Sequence, residues 1–128
     1  MSFDWSEYLK VAHELIGEPT PPSTQEAKSR AGISRAYYAA FNKARTYMEE
    51  VHNIHWIPKE GESHQFVINW YKTHPDDVYQ SIGHLLAHLR RSRRFADYEK
   101  KVARLHDEAR LSLRFAADVI KLLATLPQ

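Results

Sequence analysis

Cysteine is absent from the 128-residue chain, glycine occurs only four times, and no run of apolar residues approaches the length of a membrane span. Without cysteine the protein has no disulfide, no thiolate zinc site and no cysteine nucleophile. The missing apolar run argues against a transmembrane helix, which needs ~18 apolar residues. The first residues also lack the basic and then apolar layout of a signal peptide, so we expect a cytoplasmic protein.

An excess of charge of one sign is missing as well, because 18 basic residues face 16 acidic ones and leave a net charge of +2. Apolar residues make up 43% of the chain and charged residues 27%, the mixture of an ordinary globular protein. A chain of this length buries enough surface to fold without metal or disulfides. We therefore expect one domain over residues 1–128 and no cofactor.

Helical periodicity runs through almost the whole chain, and period-two runs of β-branched residues are missing. Asp4 and Ser23 each stand three residues before a glutamate, the pattern of a helix-capping box. We predict an all-α, up-down bundle of four to five helices with short connections. The predicted helices cover residues 4–17, 23–50, 63–72 and 96–126, and a further helix begins at 77 and ends near the arginines at 90–94. A loop is predicted over residues 52–62.

Basic residues concentrate between His88 and Arg104, where seven of them face two acids. This segment carries a charge of +5 and leaves −3 for the rest of the chain. Such a segment suits a phosphate backbone, because basic side chains release condensed counterions and arginine also stacks on bases. The alternative is a solvated helix end whose arginines face the negative pole of the helix dipole. The candidate nucleic-acid-binding residues are Arg90, Arg91, Arg94 and Lys100, with Phe95 and Tyr98 as stacking rings.

The eight histidines are the other candidates for chemistry. His84 and His88 are four residues apart on one helix face, a spacing that can ligate a metal. Nothing else in that segment resembles a zinc-binding helix, so we favour hydrogen-bonded or solvated imidazoles and assign no metal site. A metal-binding bundle that uses this pair is the weakest functional alternative. The serines have no nucleophile-elbow sequence, and no glycine-rich phosphate loop is present.

Three short motifs follow one another along the chain. Residues 34–45 read SRAYYAAFNKAR, Ser63 and His64 precede an apolar FVI run, and residues 93–98 read RRFADY. In this order and spacing they resemble the YYAAFHAA helix, the THxxV segment and the RNxADY turn of the HEPN domain family (higher eukaryotes and prokaryotes nucleotide-binding). The resemblance extends over about residues 25–126.

The resemblance implies a helical bundle that commonly dimerises, with Arg35, Tyr37 and Tyr38 in a cleft or core motif. Many members are metal-independent RNases of toxin–antitoxin or antiviral defence systems and carry an Arg-x4-6-His signature. In such sites the histidine acts as general acid or base, and the arginine stabilises the charged phosphorane. The present chain departs from this signature, because Tyr98 stands where histidine is expected and a phenol is a poor base at neutral pH.

We therefore expect a small HEPN-like protein of defence or toxin–antitoxin type that binds RNA or a nucleotide. Its catalytic activity is left open. If it is a metal-independent endoribonuclease, the candidate catalytic residues are Arg93, Asp97, Tyr98 and His64, the last provided that the fold brings it near Arg93. The main alternative is a non-catalytic module that forms homodimers or pairs with a protein partner such as an antitoxin or a nucleotidyltransferase.

Overall fold

The computed structural model describes residues 3–17, 21–59 and 61–128, and within these ranges it contains five α-helices and no strand. The predicted all-α bundle is confirmed. None of the helices in the described ranges is long and apolar enough to cross a membrane. The helices are α1 (Glu7–Gly17), α2 (Pro22–Val51), α3 (Gly61–Lys72), α4 (Asp77–Tyr98) and α5 (Leu105–Thr125).

Helix α2 is the central element, because it packs against α1, α4 and α5. Its small residues Ala36, Ala39, Ala40 and Ala44 are fully buried and let the neighbouring helices approach closely, as their spacing predicts. Apolar side chains from the surrounding helices close over this stripe and form the core. Its largest fully buried apolar members are Tyr37, Tyr71, Ile33, Met48, Ile82, Leu86, Leu89, Val67 and Val119.

Helices α1, α2, α4 and α5 alternate in direction, as the short connections predict. Paired contacts establish this, because the residue numbers on one helix rise while those on its neighbour fall. The pairs are Asp4–Lys43 and Ile16–Gln25 between α1 and α2, Arg30–Ala96 and Tyr47–Tyr79 between α2 and α4, and Ser92–Glu108 and His88–Phe115 between α4 and α5.

Helix α3 is the exception to this alternation, because it runs parallel to α2. Tyr37 contacts His64 and the carbonyl of Ala44 accepts from Tyr71, so equal steps along the two helices stay in register. A parallel start requires the chain to return about 25 Å along α2 before α3 begins. Residues 52–59 do this as a non-helical segment with two buried isoleucines.

The first two helices begin at other residues than predicted. Helix α1 begins at Glu7, because the carboxylate of Asp4 accepts hydrogen bonds from Ser6 in a turn that precedes the helix. Helix α2 begins at Pro22 with Pro21 as its N-cap, so the predicted capping box is wrong. A proline in the first turn has no N–H to satisfy and already has a helical φ angle.

The largest correction concerns the arginine cluster, which lies inside α4 rather than after its end. Ala96, predicted to begin the last helix, belongs to α4, and α5 begins only at Leu105. Helix α4 ends where Arg30 of α2 donates hydrogen bonds of 2.6–3.0 Å to the carbonyls of Ala96, Glu99 and Lys100. These carbonyls lack partners within the helix, and a cation suits the negative pole of the helix.

Candidate nucleic-acid interface

A groove of about 510 Å³ lies on the surface where α3 packs against α4, and we call it the α3–α4 groove. It unites three of the four predicted nucleic-acid-binding residues, Arg90, Arg91 and Arg94. Lys72 adds a fourth cation, and Glu99 is the only acid among the lining residues. The other lining residues are Gln65, Ile68, Ala87, Phe95 and Tyr98.

Helical periodicity explains why one wall of this groove is basic and aromatic. The α4 residues of the wall recur at intervals of three or four, so they share one face of the helix. The wall from Ala87 to Tyr98 is about 17 Å long. Helix α3 forms the opposite wall at short range, because a Cβ on Gly83 would lie 2.6 Å from the backbone nitrogen of Lys72.

The groove presents groups that are open to a ligand. Phe95 is 47% exposed and Tyr98 74% exposed, and both are unusually open for large aromatic side chains. Arg91 and Arg94 are exposed and form no hydrogen bond or ion pair with the rest of the described chain. Free guanidinium groups beside open rings can contact phosphates and stack on bases at the same time.

Arg93 lies beside the groove, on the side of α4 that contacts α2. Its side chain is only 18% exposed and its Nε lies 3.0 Å from Oδ2 of Asp97. This contact is an ion pair without hydrogen-bond alignment, because the buried Nε has no hydrogen-bond partner in the described chain. Nη2 donates to the hydroxyl of Tyr38 at 2.8 Å, and the guanidinium lies 6.0 Å from the ring centre of Tyr98. Arg93 is thus engaged within the fold.

The fold brings His64 close to this arginine, as the sequence-based hypothesis required. The His64 ring stacks on Phe41 at 4.4 Å, and its Nδ1 shares a hydrogen bond of 2.5 Å with the hydroxyl of Tyr37. The pKa of His64 is lowered to about 4, first by burial and then by the charges of Arg90 and Arg93. The imidazole is therefore neutral at pH 7 and held by a buried phenol.

Tyr37 and Tyr38, which are adjacent in α2, have different environments, as their adjacency predicts. Tyr37 is fully buried, and burial raises the pKa of its hydroxyl well above the ordinary value. Tyr38 is partly exposed and contacts both the His64 ring and Arg93. The two tyrosines therefore join His64 to the inner face of α4.

Arg90 lies between the groove and this inner cluster. Its Nη1 donates to Oε1 of Gln65 at 3.0 Å, which ties α4 to α3, while the same side chain lines the α3–α4 groove. Among the cations that lower the pKa of His64, Arg90 has the largest effect. Arg90 therefore both lines the groove and lowers the pKa of the neutral imidazole.

The remaining predicted residues lie outside the groove. Arg35 is exposed and packs over the ring of Tyr8 in α1 at 5.4 Å, away from Tyr37 and Tyr38. Lys100 is exposed in the turn after α4, where its carbonyl accepts from Arg30. His84 is exposed, and among the described residues no group of three metal-ligating side chains is placed to hold an ion.

A second groove, of about 450 Å³, lies on the other side of Phe95, and we call it the α4–α5 groove. Ser92, almost fully buried, donates to Oε2 of Glu108 at 3.0 Å in this groove. Arg91, Phe95 and Glu99 line both grooves, so the two are continuous around the end of α4. Its other lining residues are His88, Lys101, Val102 and Ala103.

Several residues of this region carry no recognisable sequence pattern. Arg30 acts on carbonyls that lie 66 or more residues away, and Gln65 and Lys72 enter the groove only because α3 packs on α4. Glu108 belongs to an ordinary acidic first turn of α5. Only the close packing that Gly83 permits was open to prediction from the sequence, as an isolated glycine within a helical pattern.

Comparison of the chain with protein-family models, with curated proteins and with solved structures finds no match.

Proposed function

We propose that the protein is a HEPN-like domain that binds single-stranded RNA through the α3–α4 groove. One observation carries the proposal, namely four cationic side chains and two exposed aromatic rings along one groove with a single acid. Neutralising phosphates releases condensed counterions, and stacking on aromatic rings tolerates every base. The proposal includes a cytoplasmic location for the protein.

The residues of α4 have separate roles in this proposal. Arg91 and Arg94 contact phosphates, because their guanidinium groups are exposed and unpaired within the described chain. Phe95 and Tyr98 stack on bases. Arg93 holds α4 against α2 through Asp97 and Tyr38, which leaves it few donors for a phosphate.

Binding is better supported than RNA cleavage. A general base must reach the ribose hydroxyl, and the neutral His64 has its Nδ1 engaged by Tyr37. Arg93, the candidate for stabilising the phosphorane, is paired with Asp97 and largely buried. The catalytic roles of Arg93, Asp97, Tyr98 and His64 stay predictions, and comparing RNA cleavage by the parent and a His64→Ala variant tests them.

The test is the salt dependence of RNA affinity, measured by fluorescence anisotropy with a short labelled single-stranded RNA. We expect affinity to fall steeply with salt, and the double variant Arg91→Ala/Arg94→Ala to lower the slope of log K against log [salt] by about 1.4. The matched control is Arg110→Ala/Arg114→Ala, which removes the same charge from exposed positions of α5 outside both grooves. Its slope is expected to stay close to that of the parent.

An equal loss in both double variants would mean that net charge rather than the groove attracts RNA. Absence of any salt-dependent binding would overturn the proposal and favour the interaction module that the sequence leaves as an alternative. A homodimer is part of the proposal through the family resemblance. Light scattering that finds only particles of 15.0 kDa, the mass of one chain, would exclude it.

A further inference from the structure

We propose that the α4–α5 groove binds a guanine base, with Glu108 recognising its hydrogen-bonding edge and Phe95 stacking on its ring. The inference rests on the proposed function, because the two grooves share Arg91, Phe95 and Glu99. A strand whose phosphates follow the α3–α4 groove therefore brings a neighbouring base to the second groove.

Glu108 provides the selectivity. Ser92 donates to its Oε2 at 3.0 Å, and its Oε1 has no hydrogen-bond partner in the described chain. A carboxylate has about four acceptor sites, so both oxygens can still accept from a ligand. Guanine presents two adjacent N–H donors on its Watson–Crick edge, which match a carboxylate in bidentate fashion. Adenine, cytosine and uracil each place an acceptor beside their donor, and that acceptor would face the carboxylate.

Buried polar atoms without a hydrogen-bond partner in the described chain lie beside the groove. His88 lines the groove, and its buried Nε2 has no hydrogen-bond partner in the described chain. Ser112 lies one turn beyond Glu108 just as His88 lies one turn before Ser92, so the antiparallel register places the two at one level, and Ser112 Oγ is also unpartnered. These atoms are themselves buried, so recognition of the base is assigned to Glu108 and Phe95 alone.

The walls suit a flat ring. Phe95 is 47% exposed and forms one side, and Val102 and Ala103 of the turn before α5 form the other. A volume of about 450 Å³ lies within the range of small-ligand sites. Arg91 and Lys101 at the rim provide charge for the attached phosphates.

The test compares short single-stranded RNAs that differ only at one central nucleotide, guanosine, inosine or adenosine, by fluorescence anisotropy with the full chain. We expect the parent to bind the guanosine RNA about tenfold more tightly than the adenosine RNA, with inosine in between because it lacks the second donor. Glu108→Gln is expected to abolish this preference and to leave the affinity for the adenosine RNA within about twofold of its control.

The control is Asp107→Asn, because it makes the same charge change at the next residue, which is exposed and lines neither groove. It is expected to keep the guanosine preference. Equal affinity of the parent for the three RNAs, or a preference that survives Glu108→Gln, would overturn the guanine site while leaving RNA binding in the α3–α4 groove intact.

If no RNA binds, the proposed function fails, and the free nucleoside then decides the guanine site. Guanosine carries no phosphate, so its binding does not depend on the α3–α4 groove. Guanosine at millimolar concentration is expected to shift the NMR signals of the Ser92, Phe95 and Glu108 amides, whereas adenosine is not. No shift with guanosine, or equal shifts with both nucleosides, would overturn the guanine site by itself.

Discussion

The two faces of the last turns of α4 use arginine in opposite ways. Arg91 and Arg94 on the outer face are exposed and unpaired within the described chain, whereas Arg93 on the inner face is 18% exposed and contacts Asp97 and Tyr38. Arg30 of α2 extends the inner pattern, because its Nη1 and Nη2 donate to carbonyls at the end of α4 and to Glu26.

This difference teaches that an arginine is free to bind a phosphate because of the helix face on which it lies and not because of its position in the basic segment. The four arginines at 90, 91, 93 and 94 look equivalent in sequence, yet only those on the outer face can exchange counterions for phosphates. The inner ones contribute to stability, since a charged donor removed from water needs a partner. The predictions below test whether the two faces are separable in this way.

The largest effect is expected from Arg30, which donates to the carbonyls at the end of α4. Arg30→Ala leaves three carbonyls without their charged donor, so we expect the free energy of unfolding to fall by about 3 kcal/mol in urea titration. The control is Arg114→Ala, an exposed arginine of α5, which is expected to change it by less than about 0.5 kcal/mol. Similar values for the two variants would mean that the inner arginine is not structural.

The second largest effect is expected from acid, which lowers the free energy of unfolding through His64. The pKa of His64 is lowered to about 4 in the folded protein from an ordinary 6.5, so below pH 6.5 the unfolded chain binds more protons and stability falls until about pH 4. Because solvent reaches part of the ring, we expect a loss of about 2 kcal/mol rather than the full value of the shift.

The measurement is urea unfolding at pH 7 and pH 4.5 for the parent and for His64→Gln. His52 contributes in the same direction, because burial and His74 lower its pKa too, so only the difference between parent and variant reports on His64. Asp4 does not contribute in this window, because its pKa is lowered to about 2 and its stabilisation is lost only at lower pH. An equal pH dependence in the parent and variant would contradict the prediction.

A direct contrast between the faces comes from single alanine variants at neighbouring positions. Arg93→Ala removes the ion pair with Asp97 and the bond to Tyr38, and we expect it to lower the free energy of unfolding by about 1.5 kcal/mol. Its salt slope for RNA binding is expected to stay unchanged. Arg91→Ala is expected to do the reverse, with stability within about 0.5 kcal/mol of the parent and a salt slope lower by about 0.7.

Loss of both properties in either variant would show that the two faces are coupled and would remove the distinction between them. The salt slope is the decisive measurement, because a partly unfolded variant lowers the affinity at every salt concentration without changing the number of phosphate contacts.

The smallest effect is expected in the turn that follows α4. Arg104 has a φ of +52°, a left-handed conformation that L-residues other than asparagine and aspartate rarely adopt. Arg104→Gly is expected to raise the free energy of unfolding by about 0.5 kcal/mol, since glycine relieves the strain but has a more flexible unfolded chain. It lines neither groove, so RNA affinity is expected to change only through net charge.

The bundle was predictable because its helices carry their own periodicity. The buried alanines of α2 and the apolar stripes of α4 and α5 repeat at helical spacing, and the core follows them. The end of α4 was not predictable, because the arginine that completes it lies 66 residues earlier, in another helix. Because the end of α4 was predicted too early, the arginines at 93 and 94 were assigned to a turn, and their positions on two faces of one helix could not be predicted.

The candidate site divides along the same line. The +5 segment and its residues Arg90, Arg91 and Arg94 are visible in the sequence, and a groove now contains all three. The proximity of His64 to Arg93 was only a condition of the hypothesis, and it depends on α3 running parallel to α2. No local sequence pattern indicates the direction of a helix that follows a non-helical segment such as residues 52–59.

The sequence by itself determined that this chain is helical, that it lacks thiol chemistry, and that its positive charge is concentrated near residue 95. Local periodicity and side-chain chemistry suffice for these properties. The tertiary structure alone decided which arginines are paired, that His64 is half-buried and neutral, and that two grooves meet at Phe95. These properties depend on contacts between residues far apart in the chain, which only packing brings together.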